Sequence, residues 1–326
     1  MTNHLIKTLY ACIAAVAGLM FGSTASAQSY PSRPVTLIMP LPAGSATETH
    51  IRLLANEAGK YLAQPVVVEN RPGAGGRIGM RAIMAEKPDG QTIGMTFNGI
   101  AVVLALGDAS FRIEPGKDYT PVILASQAPL VMVTGPTAPF RDIQGLVAYA
   151  RTNPGKLTIS GSSLGSSAHL GFELLKLMTG IDFVLVNFQG EILSTPALLN
   201  GDVQAMIASA SIKPYLDTGK LVAMGTTGSQ RWSLLPGLPT IQESGLPGFD
   251  IASWYGIVAP PSLPPTVLAR LNEAFGAALA SSAVRKAFGD LGINPVGSTP
   301  DEFARRIRAD LERMAPVIRK AGLKFD

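Results

Sequence analysis

Apolar residues recur along this chain in two alternating periods. Short apolar runs at 35–39, 66–69 and 92–97 have the length and composition of strands. Between the first two, Ile51, Leu54, Ala55, Ala58 and Leu62 fall on one face of a helix, and 78–85 makes a second helix before the third run. This β-α-β-α-β order predicts a mostly parallel sheet with right-handed crossovers. Strands at 122–125 and 130–134 flank a break at 127–129, where the chain is expected to cross into a second unit.

That second unit repeats the architecture: a helix at 143–150, a strand at 156–160, and a helix carrying Leu170, Leu174, Leu177 and Met178. A strand at 183–187 precedes a helix that begins over 195–199 and is ended by Asn200-Gly201. A strand at 203–208 and a helix-turn-strand from Tyr215 and Leu216 to 221–225 complete it. A strand at 251–258 leads to helices at 267–280, 283–291 and 300–321, the last opened by a Thr299/Glu302 capping box. The fold class is α/β. Two lobes are expected, 28–125 with 254–326 and 126–253, each a mostly parallel sheet flanked by helices. The C-terminal helices pack back on the first lobe, and the strand C-termini face a cleft between the two.

The first 27 residues stand outside this pattern. Lys7, an apolar stretch over 9–21 and Ala25-Ser26-Ala27 read as a signal peptide cleaved after Ala27. The stretch is too short to span a bilayer, so an exported, periplasmic chain is expected. Cys12 is the only cysteine and lies in the signal, which leaves the mature chain without a disulfide or thiolate metal site. Loss of Lys7 takes the formal charge from +4 to +3 with no basic block, which argues against nucleic acid as a partner. Roughly 300 mature residues suit two cores better than one.

Candidate chemistry concentrates at Ser160 to Ser167, where five serines and two glycines separate a strand from a helix. Such a turn aims hydroxyls and backbone N–H groups at one place, backed by the positive end of a helix dipole. It is a seat for a carboxylate or phosphate, or, on a plainer reading, an ordinary serine N-cap. Gly161-Ser-Ser163-Leu-Gly165 also matches a nucleophile elbow. The histidine that follows, His169, shares the same turn and helix, whereas a triad histidine approaches from a separate loop. Gly73-Ala-Gly75-Gly76-Arg-Ile-Gly79 has a dinucleotide-loop look with its third glycine one place late, and reads as a tight turn with close helix packing. Two separated mature histidines and no acidic cluster offer no metal ligand set, and no cofactor is expected.

Several strings run in order over the mature chain: Tyr30-Pro-Ser-Arg-Pro34, Pro40-Leu-Pro-Ala-Gly-Ser-Ala-Thr47, Val66-Val-Val-Glu-Asn-Arg-Pro-Gly-Ala-Gly-Gly76, Pro88-Asp-Gly90, Leu198-Leu-Asn-Gly-Asp-Val203, Leu235-Pro-Gly-Leu-Pro-Thr240 and Ser253-Trp-Tyr-Gly256. Together they resemble the substrate-binding proteins of tripartite tricarboxylate transporters, the Bordetella uptake gene family. The resemblance implies a two-lobed periplasmic binding protein that closes on a small organic anion and passes it to membrane permease subunits. Its ligand residues, carried over position by position, are Pro42, Ala43, Gly44, Ser45, Ala46 and Thr47 in the first loop, with Asn98 and Gly99 after the third strand. In the second lobe they are Ser162, Ser163, Ser166, Ser167, His169, Gln189 and Gly190; Glu48, Glu191 and Ser209, which depart from the family pattern, are expected at the same site.

Three departures bear on the ligand. Glu48 stands where aspartate is common. Phe188-Gln189-Gly190-Glu191 replaces Tyr-Lys-Gly-Ser, exchanging a positive charge for a negative one. Ala208-Ser209-Ala210 replaces an Asp-Asn pair. Glu191 at the cleft disfavours a second carboxylate and welcomes an amine; turned to solvent, it says nothing about the ligand. The expected activity is capture of a small carboxylate (a dicarboxylate, amino acid or aromatic acid) by a monomeric, non-enzymatic protein. The alternatives are an exported α/β hydrolase using Ser163 and a sensor subunit for a membrane receptor.

Overall fold

The computed structural model describes residues 30–44, 46–106, 113–161, 166–188 and 190–322. The proposed signal peptide lies outside them. The described residues build two sheets. The first has six strands in the order β11-β4-β10-β3-β1-β2: β1 (Val35–Met39), β2 (Val66–Asn70), β3 (Thr92–Phe97), β4 (Thr120–Pro129), β10 (Ala252–Ala259) and β11 (Asn294–Pro295). The second runs β7-β6-β8-β5-β9, from β5 (Val131–Thr134), β6 (Thr158–Gly161), β7 (Val184–Asn187), β8 (Ala205–Ala208) and β9 (Val222–Thr226).

Both sheets are mixed. Pairing is parallel within β1-β2-β3 and β6-β7-β8, the βαβ halves that the sequence pattern described. It is antiparallel where β10 and β4 join the first sheet and where β5 joins the second. The physical reason is the crossing. Strand β4 runs out of the first sheet and turns at Leu130 into β5, and β10 returns alongside β4 with Ala252 opposite Pro129. The expected break at 127–129 is therefore continuous strand. Thr227 staples the two crossing segments. Its hydroxyl accepts from Leu130 N–H at 3.0 Å and donates to Ile251 O at 2.5 Å.

Helices cover the sheets: α1 (Ala46–Leu62), α2 (Arg77–Ala85), α3 (Asn98–Leu106), α4 (Ile143–Thr152), α5 (Ser167–Thr179), α6 (Glu191–Asn200), α7 (Lys213–Asp217), α8 (Pro265–Ala280), α9 (Ser282–Asp290) and α10 (Pro300–Ala321). The apolar stripe of α1 (Ile51, Leu54, Ala55, Ala58, Leu62) is buried in one core with Leu271 and Phe275 of α8 and Phe288 of α9. Helix α10 opens with the expected capping box and serves both sheets. Its Phe303 and Ile307 pack with Ile38 and Trp254, while Met314, Val317 and Ile318 pack with Leu170, Leu174 and Ile207. Buried Asp310 on this helix accepts from the Trp254 indole and from Arg306 and Arg313, and Arg313 also reaches Asp250 at 3.0 Å.

The Gly-rich loop is a packing device, as its turn reading anticipated. A Cβ on Gly79 would sit 2.6 Å from Pro40 Cβ and 2.9 Å from the Arg71 carbonyl, so only glycine lets α2 lie against the first loop.

Candidate functional site

Strand β10 gathers the site. Ser253 and Tyr255, two residues apart, share one side of the strand. The Ser253 hydroxyl bonds Ser167 Oγ at 2.9 Å, and the Tyr255 hydroxyl lies 3.4 Å from Thr47 Oγ1. Ser167 opens α5, and Thr47 stands in the first turn of α1. Asn98, the first residue of α3, completes the cluster: its amide donates to Ser167 Oγ at 2.9 Å and to the Ala252 carbonyl at 3.2 Å. Three helix N-termini, each with its positive dipole end, thus meet around one strand, with neutral hydroxyl and amide groups between them. Gly99, next in α3, is buried.

The first loop is held by charge. Glu48 reaches back to accept the Gly44 N–H at 2.5 Å and pairs with Arg52, whose Nε lies 2.7 Å away. The Gly44 N–H, and after it Arg52, keep the Glu48 carboxyl below the usual carboxylate range. Asn70, from the Val-Glu-Asn-Arg string, bonds both Arg52 at 3.0 Å and the Leu41 carbonyl at 3.0 Å. Glu48, expected at the ligand site, thus braces the turn at Gly44. Gly44 takes a left-handed φ of 83°, while Pro42 and Ala43 are exposed on the turn.

The second-lobe turn divides its labour. Ser166 is the N-cap of α5, its hydroxyl accepting the His169 N–H at 3.3 Å, which is the plainer role the sequence allowed. His169 is buried, with Nε2 3.9 Å from Glu173 Oε1, and burial holds its imidazole below its usual pKa and so neutral at pH 7. Gly190 caps α6 with a φ of 94°. Ser45, Ser162, Ser163 and Gln189 lie outside the described residues, as does the nucleophile elbow built on Ser163; of Ala46 only its place at the start of α1 is described.

Glu191 is turned to the 209–211 turn. Its carboxylate accepts from Ser209 N at 2.7 Å, Ser209 Oγ at 2.8 Å and Ser211 Oγ at 2.5 Å. Both hydroxyls are occupied by that carboxylate, so Ser209 acts first as its partner.

Sequence reasoning assigned no role to His50, Trp232, Ser253 or Tyr255. Ser253 and Tyr255 were visible only as part of the Ser253-Trp-Tyr-Gly256 string; nothing local showed that β10 pairs with β4, the strand that leads into the second sheet. The His50 ring meets Tyr255 edge-on, centroids 4.8 Å apart, and burial, more than any neighbour, raises the Tyr255 phenol pKa. Among the described residues, no group of three or more His, Cys, Asp or Glu side chains is placed to hold a metal ion, and no helix is long and apolar enough to cross a membrane.

Residues 50–323 match the model of the tripartite tricarboxylate transporter family receptor. BugT of Bordetella pertussis is 35% identical over 304 residues, covering 92% of this chain and 93% of its own. The structure of Rpa4515 of R. palustris with adipate shares 31% identity and a TM-score of 0.78, covering 90% of this chain and 99% of that one. MatC from Rhodopseudomonas palustris with bound malate shares 31% identity at a TM-score of 0.75, covering 89% and 100%.

Proposed function

The chain belongs to the tripartite tricarboxylate transporter receptor family, and from that premise we propose that it is a periplasmic solute-binding protein for a small organic carboxylate. One observation carries the reading: the first turns of α1, α3 and α5 converge on Ser253 and Tyr255, with neutral donors between them. Helix ends and neutral donors hold an anion without a salt bridge, which suits a protein that must release what it captures. The adipate and malate complexes of its structural neighbours support the same ligand class.

In this reading the lobes are 28–125 with 254–326 and 126–253, and they close about the crossing strands by a hinge motion. Thr47, Asn98, Gly99 and Ser167 contribute to the ligand site, and the resemblance adds Ser45, Ser162, Ser163 and Gln189 as ligand residues. Glu48, Ser166 and Glu191 hold the loops in place. The closed pair of lobes presents the ligand to membrane permease subunits, and the signal pattern at 1–27 supports export.

A thermal-shift screen of the purified protein against small carboxylates, followed by calorimetry, tests this. A bound ligand raises the melting temperature, by about 2.7 kcal/mol of stabilisation at 100 times its Kd. No shift from any carboxylate, after unfolding and refolding to strip carried-over ligand, would overturn the proposal.

A further inference from the structure

A cavity of about 280 Å³ opens beside the anion turns, on the side of the crossing strands. Thr47 and Ser209 line it, so it borders the candidate site from both sheets. Its remaining walls are mostly apolar or aromatic: Trp232, Tyr255, Leu291 and Ile293 with the small Ala128 and Ala210. We propose that this cavity is a subsite for the uncharged, ring-sized body of a monocarboxylate whose carboxylate sits on the helix N-termini. The inference rests on the carboxylate reading above and narrows it.

Charge is the first argument. Among the described residues that line the cavity there is no lysine or arginine. The carboxylate side chain among them, Asp290, is paired with Lys286 at 2.7 Å. Ser209 and Ser211, the hydroxyls on its second-lobe wall, are turned to the Glu191 carboxylate. A second carboxylate entering here would lose hydration, find no cation in the described lining to replace it, and approach the Asp290 and Glu191 carboxylates. An apolar body loses nothing and gains contact with the ring faces.

Size and rigidity are the second. Ligand pockets begin at about 300 Å³, so this one suits a single ring or a branched aliphatic group. Its back wall is set across the two sheets by the Trp232 indole, which donates to the Gly292 carbonyl at 2.8 Å. Its floor is set by Tyr255, held between the His50 ring and the Thr47 hydroxyl. Walls fixed in this way select shape.

Calorimetry on the purified protein tests the assignment with benzoate, malate, adipate and acetate as probes. Benzoate is expected to bind at least tenfold more tightly than each of the other three. Ala210→Leu, which fills the cavity, is expected to weaken benzoate at least tenfold; Leu291→Trp, at a partly exposed position, provides a second filling variant should the first fail to fold. Malate or adipate binding as tightly as benzoate, or benzoate binding unaffected by filling, overturns the subsite and leaves the carboxylate reading standing. Binding of none of the four, with none found in the wider carboxylate screen, overturns that reading and the subsite with it.

Discussion

Asn98 and Ser167, 69 residues apart in sequence, lie 2.9 Å apart from amide nitrogen to hydroxyl oxygen, and both are buried. The contact ties the start of α3 on the first sheet to the start of α5 on the second. Removing the amide leaves the Ala252 carbonyl and the Ser167 hydroxyl short of a buried partner, which costs about 1–3 kcal/mol, so Asn98→Ala is expected to lower stability by that amount, read by denaturant unfolding. Asn98→Asp puts a negative charge where an anion is meant to sit. It should cut carboxylate affinity at least tenfold in calorimetry. Equal affinity in Asn98→Asp and the unmodified protein would remove Asn98 from the site.

The internal role of Glu191 leads to a second expectation. Three donors converge on its carboxylate from the turn at 209–211. Hydrogen bonds to charged groups contribute about 1.5–3 kcal/mol, and loss of one strands its partners. Glu191→Ala is expected to destabilise by about 2 kcal/mol, whereas a glutamate serving only a ligand amine would leave the unliganded protein's melting temperature unchanged. Differential scanning calorimetry without ligand separates the two.

Much of the frame was legible because it is local. The stripe Ile51, Leu54, Ala55, Ala58 and Leu62 marked α1, and Thr299 with Glu302 marked the start of α10. Helix α3 was not legible: Asn98–Leu106 is apolar almost throughout, so it shows neither a helical nor a strand period. The antiparallel entry of β4, β5 and β10 depends on strands more than 100 residues apart in β4 and β10, which no local pattern encodes. The turns proposed to hold an anion were singled out from serine, glycine and resemblance. Which serine caps a helix and which reaches across could not, because His169 N–H and Asn98 compete for neighbouring hydroxyls only in three dimensions. The orientation of Glu191 stayed open for the same reason: its partners stand 18 and 20 residues downstream.

Acid should loosen the first anion loop. The Glu48 carboxyl titrates below its ordinary 4.5 because the Gly44 N–H and Arg52 favour the charged form. A carboxyl whose folded pKa is depressed contributes stability that is present above its unfolded value and lost as pH falls through the folded one. The melting temperature is therefore expected to fall below about pH 4.5, and Glu48→Gln should flatten part of that slope. Glu243 and Glu302, depressed by their own backbone partners, keep the remainder. An acid limb identical in Glu48→Gln and the unmodified protein would show that the brace is not formed in solution.

Gly292 offers a sharper test of how closely the two sheets approach. It adopts a φ of 67°, and a Cβ there would stand 2.8 Å from Trp232 Cζ2 and 3.2 Å from Ala210 Cβ. Alanine at this position meets two penalties. The left-handed backbone costs about 1–2 kcal/mol for a residue with a Cβ. The methyl also pushes against an indole that is held by its own bond to the Gly292 carbonyl, so strain adds to it. Gly292→Ala is expected to lose about 2–4 kcal/mol in denaturant unfolding, by those two effects together. Gly289, three residues earlier in α9, has open space where its Cβ would be. Gly289→Ala should be neutral or stabilise by up to about 1 kcal/mol through helix propensity. Because the Trp232–Gly292 contact is also the cavity's back wall, Gly292→Ala should weaken a ring-bearing ligand, and Gly289→Ala should not. Two variants of equal stability would mean that Trp232 does not pack on Gly292 in solution.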